Sequence, residues 1–291
     1  MQKPRLGAHM SVAGGVTRAL EDGVKVGCQT VQIFTKNSNQ WSAALLKKEE
    51  VDRFLTMKKA LGIDPVLAHN SYLINLASPD PKLRERSKEA MRVELDRAKE
   101  LGVAFVVMHP GAHVGSGEER AIGQVSNILT ELLEMTEGYQ VSILLENTAG
   151  QGSCIGYSFE HLQKLMDGVT GSKVRSRLGV CLDTCHLFAA GYDISNSSGY
   201  EETMKRVEET LGIDAVRAFH VNDSKKGLGS RVDRHEHIGK GVIGVEAFRL
   251  LLNDARFAHC PMLLETPKGE GLKSDIENLN LLKSLCDEGC K

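Results

Sequence analysis

Residues 80–109 read DPKLRERSKEAMRVELDRAKELGVAFVVMH, and this stretch decides the fold. Leu83, Ala90, Met91, Leu95 and Ala98 recur at helical spacing, with Glu, Lys and Arg on the remaining faces. That is an amphipathic helix laying one side on a core. Gly102 then stands where a helix should stop, because the left-handed residue after a last turn suits glycine. Val103-Ala-Phe-Val-Val-Met108 is apolar at every position, as expected of a strand buried on both faces in a parallel sheet. His109 closes the run.

The same unit recurs along the chain. Short apolar, β-rich runs occupy residues 6–10, 30–35, 65–69, 103–109, 141–146, 178–183, 215–221 and 261–265, separated by charged amphipathic stretches. Gly27, Gly62 and Gly212 repeat the role of Gly102. Strand and helix alternating eight times predict a (β/α)8 barrel, an α/β fold of one domain over residues 1–291. An open doubly wound sheet would place a glycine-rich phosphate loop after its first strand. Gly14-Gly15 is only a faint trace of one.

Composition narrows the function classes. With 36 Lys+Arg against 38 Asp+Glu, the formal charge is −2, which argues against a protein that grips nucleic acid by bulk charge alone. No apolar run approaches the roughly 18–20 residues of a membrane span. The start, Met-Gln-Lys-Pro-Arg, does not read as a signal segment, so a cytoplasmic protein with no membrane partner is expected. Seven scattered cysteines without a C-x-x-C pair argue against a disulfide framework or a thiolate zinc site.

The chemistry sits at the strand ends. The third to sixth runs end at His69, His109, Glu146 and Asp183; the seventh reaches His220 one residue before its end, and the eighth ends at Glu265. In a barrel these positions converge on the C-terminal mouth. Six uncompensated titratable groups crowded together would carry large desolvation and like-charge penalties, which divalent cations relieve. His186 follows Asp183 by three residues, and Asp233-Arg-His235 places two donors on alternate residues, pointing the same way in extended chain. Nitrogen and oxygen donors without thiolate suit zinc, with manganese or iron as alternatives. Cys181, two residues before Asp183, is expected inside the barrel; Cys185 faces either way, and both read as small core residues. Nine donors suit two metals sharing a carboxylate with a third nearby, an arrangement used for displacement at phosphorus.

Glu146-Asn-Thr-Ala-Gly-Gln-Gly, Asp183-Thr-Cys-His186, His220-Val-Asn-Asp-Ser and Asp233-Arg-His235, with Phe34-Thr-Lys-Asn and Ser71-Tyr-Leu-Ile-Asn-Leu, resemble the endonuclease IV family of apurinic/apyrimidinic endonucleases. The resemblance spans residues 7–265. It implies a TIM barrel with three zinc ions that cleaves double-stranded DNA on the 5′ side of abasic sites, leaving a 3′-hydroxyl and a 5′-deoxyribose phosphate. It also implies action on 3′-blocked ends in base excision repair. Carried over by position, His69 and His109 would hold the first zinc and Glu146 would bridge it to the second. Asp183, His220 and Glu265 would complete the second, and His186, Asp233 and His235 the third. Attack by a metal-bridging hydroxide, oriented by the catalytic carboxylates Glu146 and Glu265, is the expected mechanism, with the third zinc stabilising the departing 3′-oxygen.

The resemblance further implies that Tyr72 enters the duplex at the lesion; its structural alternative is a ring packed on its own loop. Asn39 stands where relatives often carry an arginine, so its short side chain is a poor wedge, for which Gln40 or Trp41 would substitute unless Trp41 anchors the loop. Lys225, Lys226, Arg231, Arg234 and Lys240 cluster around Asp233 and His235, which points to phosphate contact. His9 reads either as a pocket residue or as a hydrogen-bonded core histidine. His113 is expected to support a ligand and Asp223 to orient a ligand histidine; His161, His237 and His259 read as surface or structural. Three divalent ions would move the formal charge from −2 to about +4 at the mouth, so near-neutrality does not exclude a DNA enzyme. A monomer is expected. The rival readings are a metal-dependent sugar isomerase or epimerase, which lacks a third site like that of Asp233 and His235, and a DNA-binding module with closed structural zinc.

Overall fold

The computed structural model describes residues 3–286. Asp80 caps the helix predicted from residue 80: its Oδ1 accepts from the Lys82 backbone N–H at 2.9 Å, and Pro81 supplies the first turn. The helix runs Pro81–Glu100 and stops before Gly102, which has φ +59°. Gly27, Gly62 and Gly212 also adopt positive φ at the ends of their helices, as the sequence reading required.

All eight apolar runs are strands: β1 Leu6–His9, β2 Thr30–Phe34, β3 Val66–His69, β4 Phe105–Met108, β5 Ser142–Glu146, β6 Leu178–Asp183, β7 Val216–His220 and β10 Met262–Leu264. Every barrel pairing is parallel, and β1 against β10 closes the circle. A short antiparallel pair, β8 Asp223–Ser224 and β9 His235–Glu236, stands in the loop after β7. The helices between strands include α1 Val16–Val26, α2 Lys48–Leu61, α3 Pro81–Glu100, α4 Glu118–Met135, α5 Phe159–Asp167, α6 Ser172–Arg175 and α7 Thr184–Ala190. Then come α8 Ser197–Thr210, α9 Val245–Asn253 and α10 Lys273–Leu285. No described helix is long and apolar enough to cross a membrane.

Alternation along the strands splits the apolar residues into two cores. One lies between strands and helices, and contains Val66, Ala68, Val106, Ile143, Leu145, Val180, Leu182 and Phe219. The other fills the barrel: Leu67, Val107, Leu144, Cys181, Ala218 and Leu263, with Phe105 beneath. Each of those six interior residues is followed two positions later by His69, His109, Glu146, Asp183, His220 or Glu265. The period of two therefore sets six donors as a layer directly above an apolar floor. His220 is the last residue of β7 rather than the penultimate one, while His109 and Glu265 stand one residue beyond β4 and β10. The strand ends thus differ by one residue from the expected runs, while the alternation that aims the donors is unchanged.

Candidate metal centre

Among the described residues, donors converge at the mouth in four overlapping groups, one of them Asp183 with His186 and His235. His69, His109 and Glu146 bring ligand atoms within 4.8 Å of one another, as do Glu146, Asp183, His220 and Glu265. These are the first two sets expected from the sequence, and Glu146 belongs to both. One oxygen, Oε2, lies 3.0 Å from His69 Nε2 and 3.1 Å from His109 Nε2. The other, Oε1, lies 2.9 Å from His220 Nδ1. A carboxylate with one oxygen turned to each side is placed to bridge.

In the third group, Asp233 faces His186 Nε2 at 3.2 Å through Oδ2 and His235 Nε2 at 3.4 Å through Oδ1. Asp183 also reaches His235 Nε2, at 3.6 Å, and so links the second and third groups. The Cys185 thiol, though buried, lies within the same radius of Asp233 and His235 and belongs to neither apolar core, which corrects its reading as a small core residue: it stands in the first turn of α7, where strand alternation no longer sets its direction. Cys181 is in the barrel core, as expected. Burial pushes both thiols up, Cys185 to about 12 and Cys181 to about 11, so neither is poised as a thiolate.

The imidazoles are oriented from behind. His69 Nδ1 lies 2.9 Å from the Asn70 carbonyl, His186 Nδ1 2.9 Å from that of Asn147, and His235 Nδ1 3.1 Å from that of Glu265. A carbonyl only accepts, so Nδ1 carries the proton and Nε2 turns its lone pair to the site. His186 Nε2 and His235 Nε2 are buried without a hydrogen bond. Two such nitrogens facing opposite oxygens of Asp233 fit a cation held between them. The donor set, imidazole and carboxylate with the Cys185 thiol beside the third group, fits zinc.

Charge follows geometry. Burial opposes ionisation of Glu146, but His220, His109 and His186 outweigh it and hold the carboxyl well below its usual range. Asp233, opposed by partial burial and favoured more strongly by His186 and His235, is pulled down to about 2. Burial alone would lower His69 and His186. Glu146 instead raises the first, and Asp183, Asp233 and Glu146 raise the second well above its normal value.

Gln32, Asn147 and Asn222 escaped the sequence reading. The Asn222 side chain donates to Asp183 Oδ2 at 2.7 Å and accepts from the Glu265 backbone N–H at 2.8 Å. Asn147 Oδ1 accepts from the Asp183 backbone N–H at 2.7 Å. Gln32 is buried and bonds both Glu265 and His220. A glutamine inside the apolar β2 run was the available signal.

Other expectations sort clearly. His9 lines the site, 3.3 Å from Glu265 and 3.0 Å from Gln32. His113 does not support a ligand: its Nδ1 accepts from the backbones of Gly115 and Gly117 and shapes its own loop. Asp223 orients no histidine; its carboxylate accepts from the N–H groups of Ser224, Gly239, Gly241 and Ile243, pinning the turn that follows β9. Trp41 is the loop anchor, half-buried against the core with Arg86 stacked 4.2 Å above it. Tyr72 is 68% exposed on the rim, its edge against Phe34 at 5.3 Å. Asn39 and Gln40 are exposed on the next loop. Lys225, Lys226, Arg231, Arg234 and Lys240 are all exposed; Arg231 lies 4.9 Å over the Tyr157 ring.

The family model described as a xylose isomerase-like TIM barrel matches residues 20–285. A protein of Chloroflexus aurantiacus named probable endonuclease 4 is 51% identical over 97% of this chain and 98% of its own. One of the same name from Geobacter sulfurreducens is 46% identical, covering 96% and 94%. Among solved structures, endonuclease IV from Thermus thermophilus superposes with a TM-score of 0.84 at 35% identity, covering 97% of this chain and 98% of that one.

Proposed function

The chain belongs to the endonuclease IV family, and on that premise we propose how its residues serve a three-zinc apurinic/apyrimidinic endonuclease. The enzyme is a DNA-repair hydrolase that cuts the phosphodiester 5′ to an abasic site, leaving 3′-hydroxyl and 5′-deoxyribose phosphate ends. The observation that carries the zinc reading is the ring of six donors above the apolar floor, joined through Asp183 to a third group made by His186, Asp233 and His235.

His69, His109 and Glu146 would hold one ion, Glu146, Asp183, His220 and Glu265 a second, and His186, Asp233 and His235 a third. Bound zinc supplies Lewis acidity toward phosphoryl oxygens and lowers the pKa of water. Glu265 retains partial exposure, its side chain 18% accessible, while Glu146 and Asp183 are sealed. Among the carboxylates of the first two groups it is therefore the one placed to reach both the centre and an incoming phosphate, and to orient the nucleophile. Tyr72 would meet the duplex at the lesion, and Lys225, Arg231 and Arg234 would take flanking phosphates. Asn39, short and uncharged, would contribute contact without a wedge. Double-stranded DNA carrying abasic sites or 3′-blocked ends is the proposed substrate.

A sugar isomerase reading shares the barrel but leaves the His186–Asp233–His235 group without a task. The discriminating experiment is incubation with a duplex bearing one abasic analogue, with and without chelator. A 3′-hydroxyl product 5′ to the lesion, lost on metal stripping and restored by zinc, supports the assignment. An intact duplex after incubation with fully metallated protein rejects it.

A further inference from the structure

Away from the metal centre, Lys36 and Glu94 form an ion pair whose side chains are each only 2% exposed, with Nζ 3.3 Å from Oε1. Lys36 follows β2, and Glu94 lies in the middle of α3. The other Glu94 oxygen accepts from the Thr35 hydroxyl. Lys36 Nζ also donates to the Gln40 carbonyl at 2.7 Å. One turn further along α3, Arg97 donates from Nε to the Thr35 carbonyl at 2.9 Å and from Nη1 to that of Ala44 at 2.8 Å. Between residues 35 and 47 there is no helix or strand. The backbone carbonyls of this irregular loop are thus held by two cations rooted in the barrel and α3.

A buried ion pair is a poor way to gain stability, since its desolvation often cancels the attraction and an apolar pair of similar volume does as well. What this pair does beyond that is fix a backbone position. The Gln40 carbonyl is anchored, so Asn39 and Gln40 stay at the surface while Trp41 turns inward beneath Arg86. The loop is also tied to its neighbour on the rim: Ser71 Oγ donates to the Ser38 carbonyl at 2.5 Å, one residue before Tyr72.

We propose that Lys36, Glu94 and Arg97 are positioning residues that preset the 37–44 loop in a DNA-binding shape and, through Ser38 and Ser71, couple it to Tyr72. This rests on the reading of Asn39, Gln40 and Tyr72 as DNA-facing. A preset loop does not have to be ordered when the duplex binds, which lowers the cost of complex formation. Its loss should weaken DNA binding while leaving chemistry intact, because none of the three residues touches the metal donors.

Two variants test this. The double change Lys36→Met with Glu94→Leu removes both buried charges together, so neither is left unpaired; Arg97→Lys keeps charge but cannot span both carbonyls. Metal content and melting temperature should stay near wild type. Hydrogen exchange of amides 37–44 in the free, metal-loaded protein should speed up by about tenfold or more. KM for an abasic duplex should rise about tenfold, with kcat held within about twofold, the signature of lost binding rather than lost transition-state stabilisation. Unchanged exchange in both folded variants overturns the proposal, and so does faster exchange with unchanged KM. Asn39→Ala combined with Gln40→Ala separates the causes of that second result. If it too leaves KM unchanged, the DNA-facing reading of the loop has failed; if it raises KM, the coupling has failed.

Discussion

Gln32 holds His220 and Glu265 in one grip: its Oε1 lies 2.8 Å from His220 Nε2, while its Nε2 donates to Glu265 Oε1 at 2.5 Å. A carboxylate only accepts, so the amide nitrogen must face Glu265 and the amide oxygen must face His220. His220 therefore carries its proton on Nε2 and presents Nδ1 to Glu146 and Glu265, at 2.9 and 3.3 Å. Gln32→Leu should lower affinity for one metal ion by about 10- to 100-fold, the usual cost of losing such support. Metal content after dialysis against graded chelator checks this; a variant as retentive as wild type contradicts it.

Glu265 stands one residue past β10, where His9, Gln32 and His220 surround its carboxylate. Glu265→Gln keeps the volume but removes the charge that orients a nucleophile. DNA binding should persist while kcat falls by about 10²- to 10⁴-fold, the range for a group that assists proton transfer. Single-turnover cleavage at saturating, metal-loaded protein is the measurement. Near wild-type turnover would remove Glu265 from the chemistry.

The barrel was legible because its signal is periodic: apolar runs such as residues 141–146 alternate with helices that end at glycines, and the donors fall at the same place in each unit. Six of the donors were legible for the same reason, while His186, Asp233 and His235 lie off that period and were marked only by their local spacing. Gln32 was not legible, since it lies in a strand whose terminal residue, Phe34, is no donor; only its polarity marked it. Asp223 was misread because it lies three residues from His220, yet its buried carboxylate is taken up by four backbone N–H groups. Loop hydrogen bonds of that kind join residues about 20 apart with no period to reveal them.

Metal uptake should release protons. Without metal, burial depresses His69 and His186, but their carboxylate neighbours outweigh it and raise both above the ordinary histidine value of 6.5. A coordinated imidazole must be neutral at the ligating nitrogen, so these protons leave on binding. Below those raised values the metal-free protein holds protons that the loaded protein does not, so affinity rises with pH up to them and levels off above. Zinc titration calorimetry at pH 7 in buffers of different ionisation enthalpy reads the release directly. Identical heats across buffers would contradict the raised histidines.

Salt dependence isolates the basic loop from the metals. Lys225 and Arg231 are exposed on the segment between β8 and β9, beside Asp233. Lys225 is only loosely engaged, 3.8 Å from Glu236, and Arg231 is stacked on Tyr157, so both guanidinium and ammonium remain open to phosphate. Each true phosphate contact contributes about 0.9 to the slope of log K against log salt. Lys225→Ala and Arg231→Ala should each make that slope shallower by close to one unit. Lys25→Ala, at the C-terminal end of α1 on the opposite face of the barrel, should leave it unchanged. Because cations at the mouth act on the same phosphates, the measurement belongs on metal-loaded protein carrying Glu265→Gln, where the duplex stays uncut. Unchanged slopes for both loop variants would leave the metal centre, rather than the loop, as the source of DNA attraction in a chain whose own formal charge is −2.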